Sequence, residues 1–161
     1  MSLRFVILAL LLGCASKQGA GGSRLGKSEG RYALGKPGKG WSRVSPGGAD
    51  KAWFNDDLAA TIYFDSNCKA RFEDKTLDAL ITHLTFGMAQ GEPLKEQTME
   101  VGGREALMRV YGGEIDGVSV QIAATVMKKN SCIYDGLYIS SPRSFDAGLS
   151  SFEQVISGFK S

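Results

Sequence analysis

Histidine is almost absent from this sequence of 161 residues, in which His83 is the single example. One imidazole cannot build a multi-histidine metal site, and most catalysis that needs two or more imidazoles is excluded as well. The net charge of +2 is too small to indicate nucleic-acid binding. Apolar residues make up 43% of the chain, which is enough to bury a core, and the length allows one ordinary domain.

No apolar run in the sequence is long enough to span a membrane. The longest covers residues 5–12, a run of eight, whereas a spanning helix needs about 20. With Arg4 before it, this run is typical of the apolar region of a signal peptide. The junction that follows, Leu11-Leu12-Gly13-Cys14, resembles the lipobox of bacterial lipoproteins. An ordinary secretory peptide with an accidental cysteine is the alternative.

The lipobox resemblance implies a covalent membrane anchor. Residues 1–13 would be removed as a signal peptide, and Cys14 would carry the acyl chains as the first residue of the mature protein. Two chains already suffice for stable attachment. Lipoproteins retained at the inner membrane typically carry aspartate directly after the cysteine, whereas Ala15 stands here. The expected location is therefore the outer membrane, on its periplasmic face.

Residues 14–40 are predicted to be a flexible, basic, glycine-rich tether. Residues 17–43 hold seven basic side chains and one acid, whereas residues from 45 onward hold 11 basic and 16 acidic side chains. A solvated spacer is one interpretation of this arm. Binding to an anionic surface, such as phospholipid headgroups, is a second. Folding back on the acidic domain is a third.

Residues 41–161 are predicted to form a single α+β domain. Residues 58–65 alternate side chains in the manner of a half-buried strand, residues 118–126 give the clearest strand signal, and similar signals recur with short turns between them. These strands predict an antiparallel meander sheet with a helix before it and a C-terminal helix packed on it. A first helix is predicted over residues 74–88 with Asp74 as its N-cap, and a second helix near the C-terminus. The helical period is carried by Leu77, Leu80, Ile81, Leu84 and Met88 in the first, and by Phe145, Leu149, Phe152, Ile156 and Phe159 in the second.

This order of elements resembles the PsbP-like family, which includes photosystem extrinsic subunits and envelope lipoproteins of the DcrB type. The resemblance covers roughly residues 41–161 and depends on the element order and the closing helix, residues 152–159. It implies a binding or assembly factor, because members of the family are mostly non-enzymatic. No catalytic residue of the family maps onto this chain.

Few residues indicate a site. With Cys14 acylated, Cys68 and Cys132 remain in an oxidising compartment, which predicts a disulfide between them, with two free thiols as the alternative. His83 lies at the flank of the first helix's apolar face and has no evident catalytic partner. No catalytic, cofactor or metal site is predicted. The surface around Tyr111, Gln121 and Tyr138 is the predicted partner-binding region.

The sequence therefore favours a non-enzymatic envelope lipoprotein, an accessory or assembly module that binds a partner protein at the membrane. The partner's identity does not follow from the sequence. A carrier or sensor of a small apolar ligand, such as a lipid held between the sheet and the closing helix, is the alternative. A carrier requires an enclosed apolar cavity on the order of 300 Å³ or more, whereas an assembly factor requires a filled core and a surface patch.

Overall fold

The protein is described by a computed structural model over residues 31–45, 47–68 and 74–161. Within these residues, antiparallel strands form one sheet, and a helix packs on each of its faces. The elements in chain order are β1 (Ser42–Val44), β2 (Lys51–Asn55), β3 (Ala60–Asn67), α1 (Leu77–Leu84), β4 (Ala89–Val101), β5 (Arg104–Ile115), β6 (Val118–Lys129), β7 (Cys132–Ser140) and α2 (Phe145–Ser157).

The sheet has the strand order β1-β2-β3-β7-β6-β5-β4. Strands β4 to β7 follow one another as hairpins, so the predicted antiparallel meander and the α+β class are confirmed. Asp116 and Gly117 have φ angles of 51° and 78° between β5 and β6, which suits the right-handed twist of a hairpin. The segment containing α1 carries the chain from β3, in the middle of the sheet, to β4 at its edge.

The C-terminal helix α2 buries the aromatic stripe predicted for it. Phe145, Phe152 and Ile156 are buried, and Phe159 follows them directly after the helix. Tyr138 of β7 lies beneath α2, with its ring centroid 5.1 Å from that of Phe145. The aromatic stripe therefore holds α2 on the sheet through ring-to-ring packing.

The first helix covers the opposite face but is shorter than expected. The predicted helix of residues 74–88 is observed as Leu77–Leu84, with Thr76 rather than Asp74 as its N-cap. Thr76 Oγ1 accepts a hydrogen bond from the Ala79 N–H at 3.1 Å, which satisfies an otherwise unpaired donor of the first turn. All five predicted stripe residues still contact the core on this face.

The predicted tether is in part ordered structure, because residues 31–40 pack against the domain. Ala33 forms two backbone hydrogen bonds with Lys160, of 2.8 and 3.0 Å, and the Gly35 N–H donates to Val155 O at 3.0 Å. Gly35 lies so close to Gly158 that a Cβ atom on Gly158 would collide with the backbone of Gly35. Glycine here permits close packing of two backbones, whereas its composition alone suggested a flexible linker.

Candidate functional site

A cleft lies between α1, β4 and β5, and we call it the α1–β4 cleft. Its volume is about 580 Å³. Its walls come from the end of α1 and the start of β4, and β5 supplies its floor. It is lined by Asp78, Thr82, Thr85, Phe86, Gly87, Ala89, Gly91, Glu92, Pro93, Glu96, Arg109 and Tyr111. This volume lies within the range of small-molecule and peptide sites.

Arg109 connects the three elements that form the cleft. Its Nε donates to Glu96 Oε2 of β4, and its Nη2 donates to Asp78 Oδ1 of α1, each at 2.6 Å. The Arg109 side chain is 14% exposed, so it forms much of the floor. Burial alone would lower the pKa of Arg109. The hydrogen bonds to both carboxylates raise the pKa by more than burial lowers it, so the guanidinium stays charged. The arginine therefore fixes the spacing between α1 and β4.

The turn after α1 projects an aromatic ring beside the cleft. Thr85 ends the helix, and its Oγ1 donates to Ile81 O at 2.9 Å. Gly87, with a φ of 81°, then reverses the chain, a conformation that favours glycine. Phe86 lies between them and is 87% exposed. An exposed aromatic ring at the rim of a cleft is a candidate contact, because aromatic residues are enriched at protein interfaces.

The β4 wall of the cleft is an irregular sheet edge. β4 is the terminal strand of the sheet, so one of its sides has no neighbouring strand among the residues that the structure describes. Its pairing with β5 shifts register between Gln90 and Lys95. Bulges and proline are common at sheet edges because they limit pairing with other chains, and Pro93 lies inside this bulge. Regular pairing with β5 covers Lys95 to Val101.

The structure does not bring the predicted partner-binding residues together on one surface. Tyr138 is fully buried beneath α2, and Tyr111 is only 5% exposed. The register Tyr111↔Ile122 puts Tyr111 on the α1 face, so the adjacent Gln121 points to the α2 face. The prediction was wrong because a strand pattern shows alternation but not which face a helix covers.

The other predicted site residues lie apart from the cleft or outside the described residues. Cys68 and Cys132 form the predicted disulfide, which links the end of β3 to the start of β7. His83 is exposed on α1. Cys14 and the lipobox lie in the part of the chain that the structure does not describe. No helix among residues 31–45, 47–68 and 74–161 has the length and apolar character needed to cross a membrane.

A pair of aspartates lies elsewhere on the α1 face of the sheet. Asp65 of β3 and Asp135 of β7 are direct cross-strand partners. Burial raises the pKa of Asp135 to about 7, and the charges of Asp65 and Asp50 contribute. The described part of the chain contains no group of three or more histidine, cysteine, aspartate or glutamate residues arranged to hold a metal ion.

A void on the α2 face, lined by described residues, is far smaller than the α1–β4 cleft. The void found between the sheet and α2 has a volume of about 10 Å³, which is too small for a lipid. Its lining includes Phe64, Met127, Tyr134 and Phe159, all buried core residues. The α1–β4 cleft, by contrast, lies on the opposite face of the sheet, outside the core.

Comparison with solved structures identifies the architecture. LpqN of Mycobacterium tuberculosis, described as involved in cell envelope biogenesis, aligns with a TM-score of 0.58 and 8% identity over 83% of this chain and 85% of LpqN. CyanoP, the cyanobacterial PsbP of Synechocystis sp. PCC 6803, aligns with a TM-score of 0.52 and 17% identity over 76% of this chain and 82% of CyanoP. The fold is PsbP-like. No protein-family model and no curated protein matches the sequence.

The PsbP-like architecture thus confirms the fold expected from the element order. A Bacteroides thetaiotaomicron protein also aligns, with a TM-score of 0.55 and 10% identity, over 81% of this chain and 44% of the other. At these identities the similarity establishes the fold alone. The function must be argued from the surface of this chain.

Apart from Tyr111, the residues of the α1–β4 cleft were absent from the sequence predictions, although Arg109 gave one signal. Arg109 lies between Leu107 and Tyr111 on one face of β5, and both of these neighbours are buried. A charge within an apolar alternation indicates a buried polar contact. Its two carboxylate partners are 31 and 13 residues away in sequence, so the contact itself was not predictable.

Proposed function

We propose that this chain is a lipid-anchored envelope protein that acts without catalysis, as an accessory or assembly module that binds a partner protein. The observation that carries the proposal is the position of the cavities, because the large one lies outside the core. The void lined by Phe64, Tyr134 and Phe159 on the α2 face measures about 10 Å³, whereas the α1–β4 cleft measures about 580 Å³ and borders the exposed ring of Phe86. A filled core with an external cleft supports partner binding over transport of an enclosed lipid.

The location part of the proposal depends on the Leu-Leu-Gly-Cys junction. Cys14 carries the acyl chains, and Ala15 in place of aspartate directs the protein to the outer membrane, with the domain on the periplasmic side. The predicted disulfide is suited to that compartment because the periplasm is oxidising. LpqN, which has the same fold, is itself involved in cell envelope biogenesis, and this supports an envelope location.

Lipidation is tested by fractionating cells that express a Cys14→Ser variant. We expect the parent protein in the membrane fraction and the variant outside it, or retained as an unprocessed precursor of lower mobility. Ala15→Asp is expected to move the protein to the inner membrane, with Ala15→Ser as the matched control that stays in place. Membrane association and mobility that do not change in Cys14→Ser would contradict the anchor.

Partner binding is tested by site-specific photocrosslinking of the full chain in intact envelopes. A photoreactive residue at position 86, beside the cleft, is expected to give a discrete protein adduct. The same residue at position 150, an exposed site on α2, is the matched control and is expected to give none. Recovery of lipid with no protein adduct from position 86 would contradict the proposal in favour of a ligand carrier.

A further inference from the structure

The charge and shape of the α1–β4 cleft define the chemistry of its occupant. We propose that the cleft binds an extended segment of a partner protein that carries lysine or arginine side chains. This inference rests on the proposed function and specifies the class of partner. Four features support it: the surplus of carboxylates, the exposed aromatic ring, the acids along β4 and the packing of Tyr32 on the opposite face of the sheet.

The cleft carries a surplus of negative charge. Asp78, Glu92 and Glu96 line it, and Arg109 is the basic side chain among the lining residues. Arg109 already donates to two of these acids, each through one carboxylate oxygen. Asp78 and Glu96 keep their side chains 68% and 52% exposed, so their remaining lone pairs face solvent. A cationic side chain would complete the pairing of these carboxylates.

The ring of Phe86 favours the same kind of occupant. Its 87% exposure leaves the ring face open to a cation or to the methylene stem of a lysine. Pro93 and the edge of Tyr111 add apolar surface to the lining. Carboxylates beside an exposed aromatic ring suit a side chain with an apolar stem and a charged end, which describes lysine and arginine.

The acidic surface continues from the cleft along the sheet edge. Glu96 and Glu100 of β4 lie four positions apart, and side chains an even number of positions apart in a strand share a face, here the α1 face. Glu100 lies directly opposite Glu105 of β5, and the register Ala106↔Met127 puts Lys128 of β6 beside Glu105 on the same face, where it offsets part of this like charge. Glu96 and Glu100 lie about 13 Å apart at the rise of an extended chain. This spacing fits two basic side chains four positions apart on one face of an extended segment, since alternate residues lie only about 7 Å apart.

The free edge of β4 can hold the backbone of such a segment. Strand addition to an exposed edge provides main-chain hydrogen bonds, and the side chains provide specificity. The regular stretch Lys95 to Val101 is available for this pairing, since β4 is the terminal strand of the described sheet. The segment would thus extend from the cleft along the outer side of β4.

The chain's own basic arm is the less favoured occupant. The described structure begins at Arg31, and the next residue, Tyr32, packs on Tyr134 and Phe159 with ring centroids 5.1 and 5.9 Å away. Those rings belong to the α2 side of the sheet. The arm therefore meets the domain on the face opposite the cleft, which favours a separate protein as the partner.

The proposal is tested by fluorescence anisotropy with two labelled octapeptides. One alternates lysine with threonine, and the other alternates glutamate with threonine. We expect the full chain in detergent to bind the lysine peptide and not the glutamate peptide. Glu92→Lys and Phe86→Ser are each expected to weaken binding roughly tenfold. Glu153→Lys, on the exposed side of α2, is the charge-matched control and is expected to leave affinity unchanged.

The outcomes separate this inference from the proposed function. Equal weakening by Glu92→Lys and Glu153→Lys would indicate a general charge effect and overturn the inference. Stronger peptide binding after Lys17, Arg24 and Lys27 are all changed to glutamine would show that the arm competes for the cleft, and would also overturn it. A protein adduct from position 86 without lysine-peptide binding would leave the proposed function standing and refute the basic class of partner. Unfolding curves of all variants verify that they are folded.

Discussion

Asp135 is a carboxyl group whose ionisation opposes folding. Burial is the largest cause of its raised pKa of about 7, and the negative charges of Asp65 and Asp50 increase it further. In the unfolded chain an aspartate titrates near 4. Between those two values the folded protein holds a proton that the unfolded chain releases. The free energy of unfolding therefore falls as the pH rises through this window.

The Asp135→Asn variant tests this pH dependence. In the parent, the free energy of unfolding should fall by at most about 1.4 kcal/mol per pH unit between about pH 4 and 7 because of Asp135. The amide cannot ionise, so we expect this decrease to be absent from the variant. Relative to the parent, it should be more stable at about pH 8, above this window. Urea unfolding across this range measures the effect, and Asp57→Asn, at an exposed position, is the control. Identical pH profiles for Asp135→Asn and the parent would contradict the assignment.

Arg109 contributes to stability as well as to the shape of the cleft. Changing it to glutamine leaves Asp78 and Glu96 without the guanidinium that lies between them. Because both carboxylates are more than half exposed, solvent compensates part of the loss, and we expect destabilisation of about 1–2 kcal/mol. Arg143→Gln, an exposed arginine, is the control. Equal effects of the two substitutions in thermal unfolding would show that the Arg109 contacts contribute nothing specific.

At the scale of the elements, the docking of α2 depends on a residue without a side chain. Gly148 lies in α2 directly over the hydroxyl of Tyr138, which donates to Phe145 O at 2.9 Å. A Cβ atom at position 148 would collide with that hydroxyl. The helix can approach β7 this closely only with glycine at the crossing.

Gly148→Ala is therefore expected to destabilise the protein although alanine is the better helix former. The collision should cost about 1–3 kcal/mol, against a gain of about 1 kcal/mol in helix propensity. Ser150→Ala, exposed on the same helix, is the control. Adding Tyr138→Phe removes the nearest clashing atom and should restore part of the stability. An increase in the urea midpoint of Gly148→Ala would refute the packing argument.

At the scale of the whole molecule, the disulfide connects two parts of the chain that are far apart in sequence. Cys68 and Cys132 are separated by 64 residues, so the bond closes a large loop in the unfolded state. Seven residues of β3, from Thr61 to Asn67, also pair with β7 in the sheet. The bond is thus expected to act mainly on the unfolded chain.

Replacing both cysteines with alanine should lower the free energy of unfolding by up to about 4 kcal/mol while preserving the native circular dichroism spectrum. Reducing the parent protein should have the same effect. Urea unfolding with and without reductant measures both. An equal midpoint for the oxidised parent and the double variant would show that the bond does not constrain the unfolded chain.

The elements of this fold were largely predictable because each has its own period. The strand β6 and the stripe of Phe145, Phe152 and Ile156 follow from backbone periods, and the structure confirms both. The side chains of β6 are buried on both faces from Ile122 to Met127, because a helix covers each face of the sheet. Element ends were less predictable. The N-cap is Thr76 rather than Asp74, because both residue types cap helices well and the sequence pattern does not show at which of them the helix begins.

The sequence by itself indicated the type and order of the main elements and the α+β class, and it predicted the disulfide that the structure contains. Only the tertiary structure decided which surface is concave and how residues 31–40 lie against the domain. Asp78, Glu96 and Arg109 meet because the strand order places β4 beside β5 and α1 over β5 and β6. Residues 31–40 are ordered because Tyr32 and Gly35 find a complementary surface on the domain. Local sequence patterns indicate whether a segment is a helix or a strand. The position of a cleft and the start of the folded domain depend on which segments the fold brings into contact.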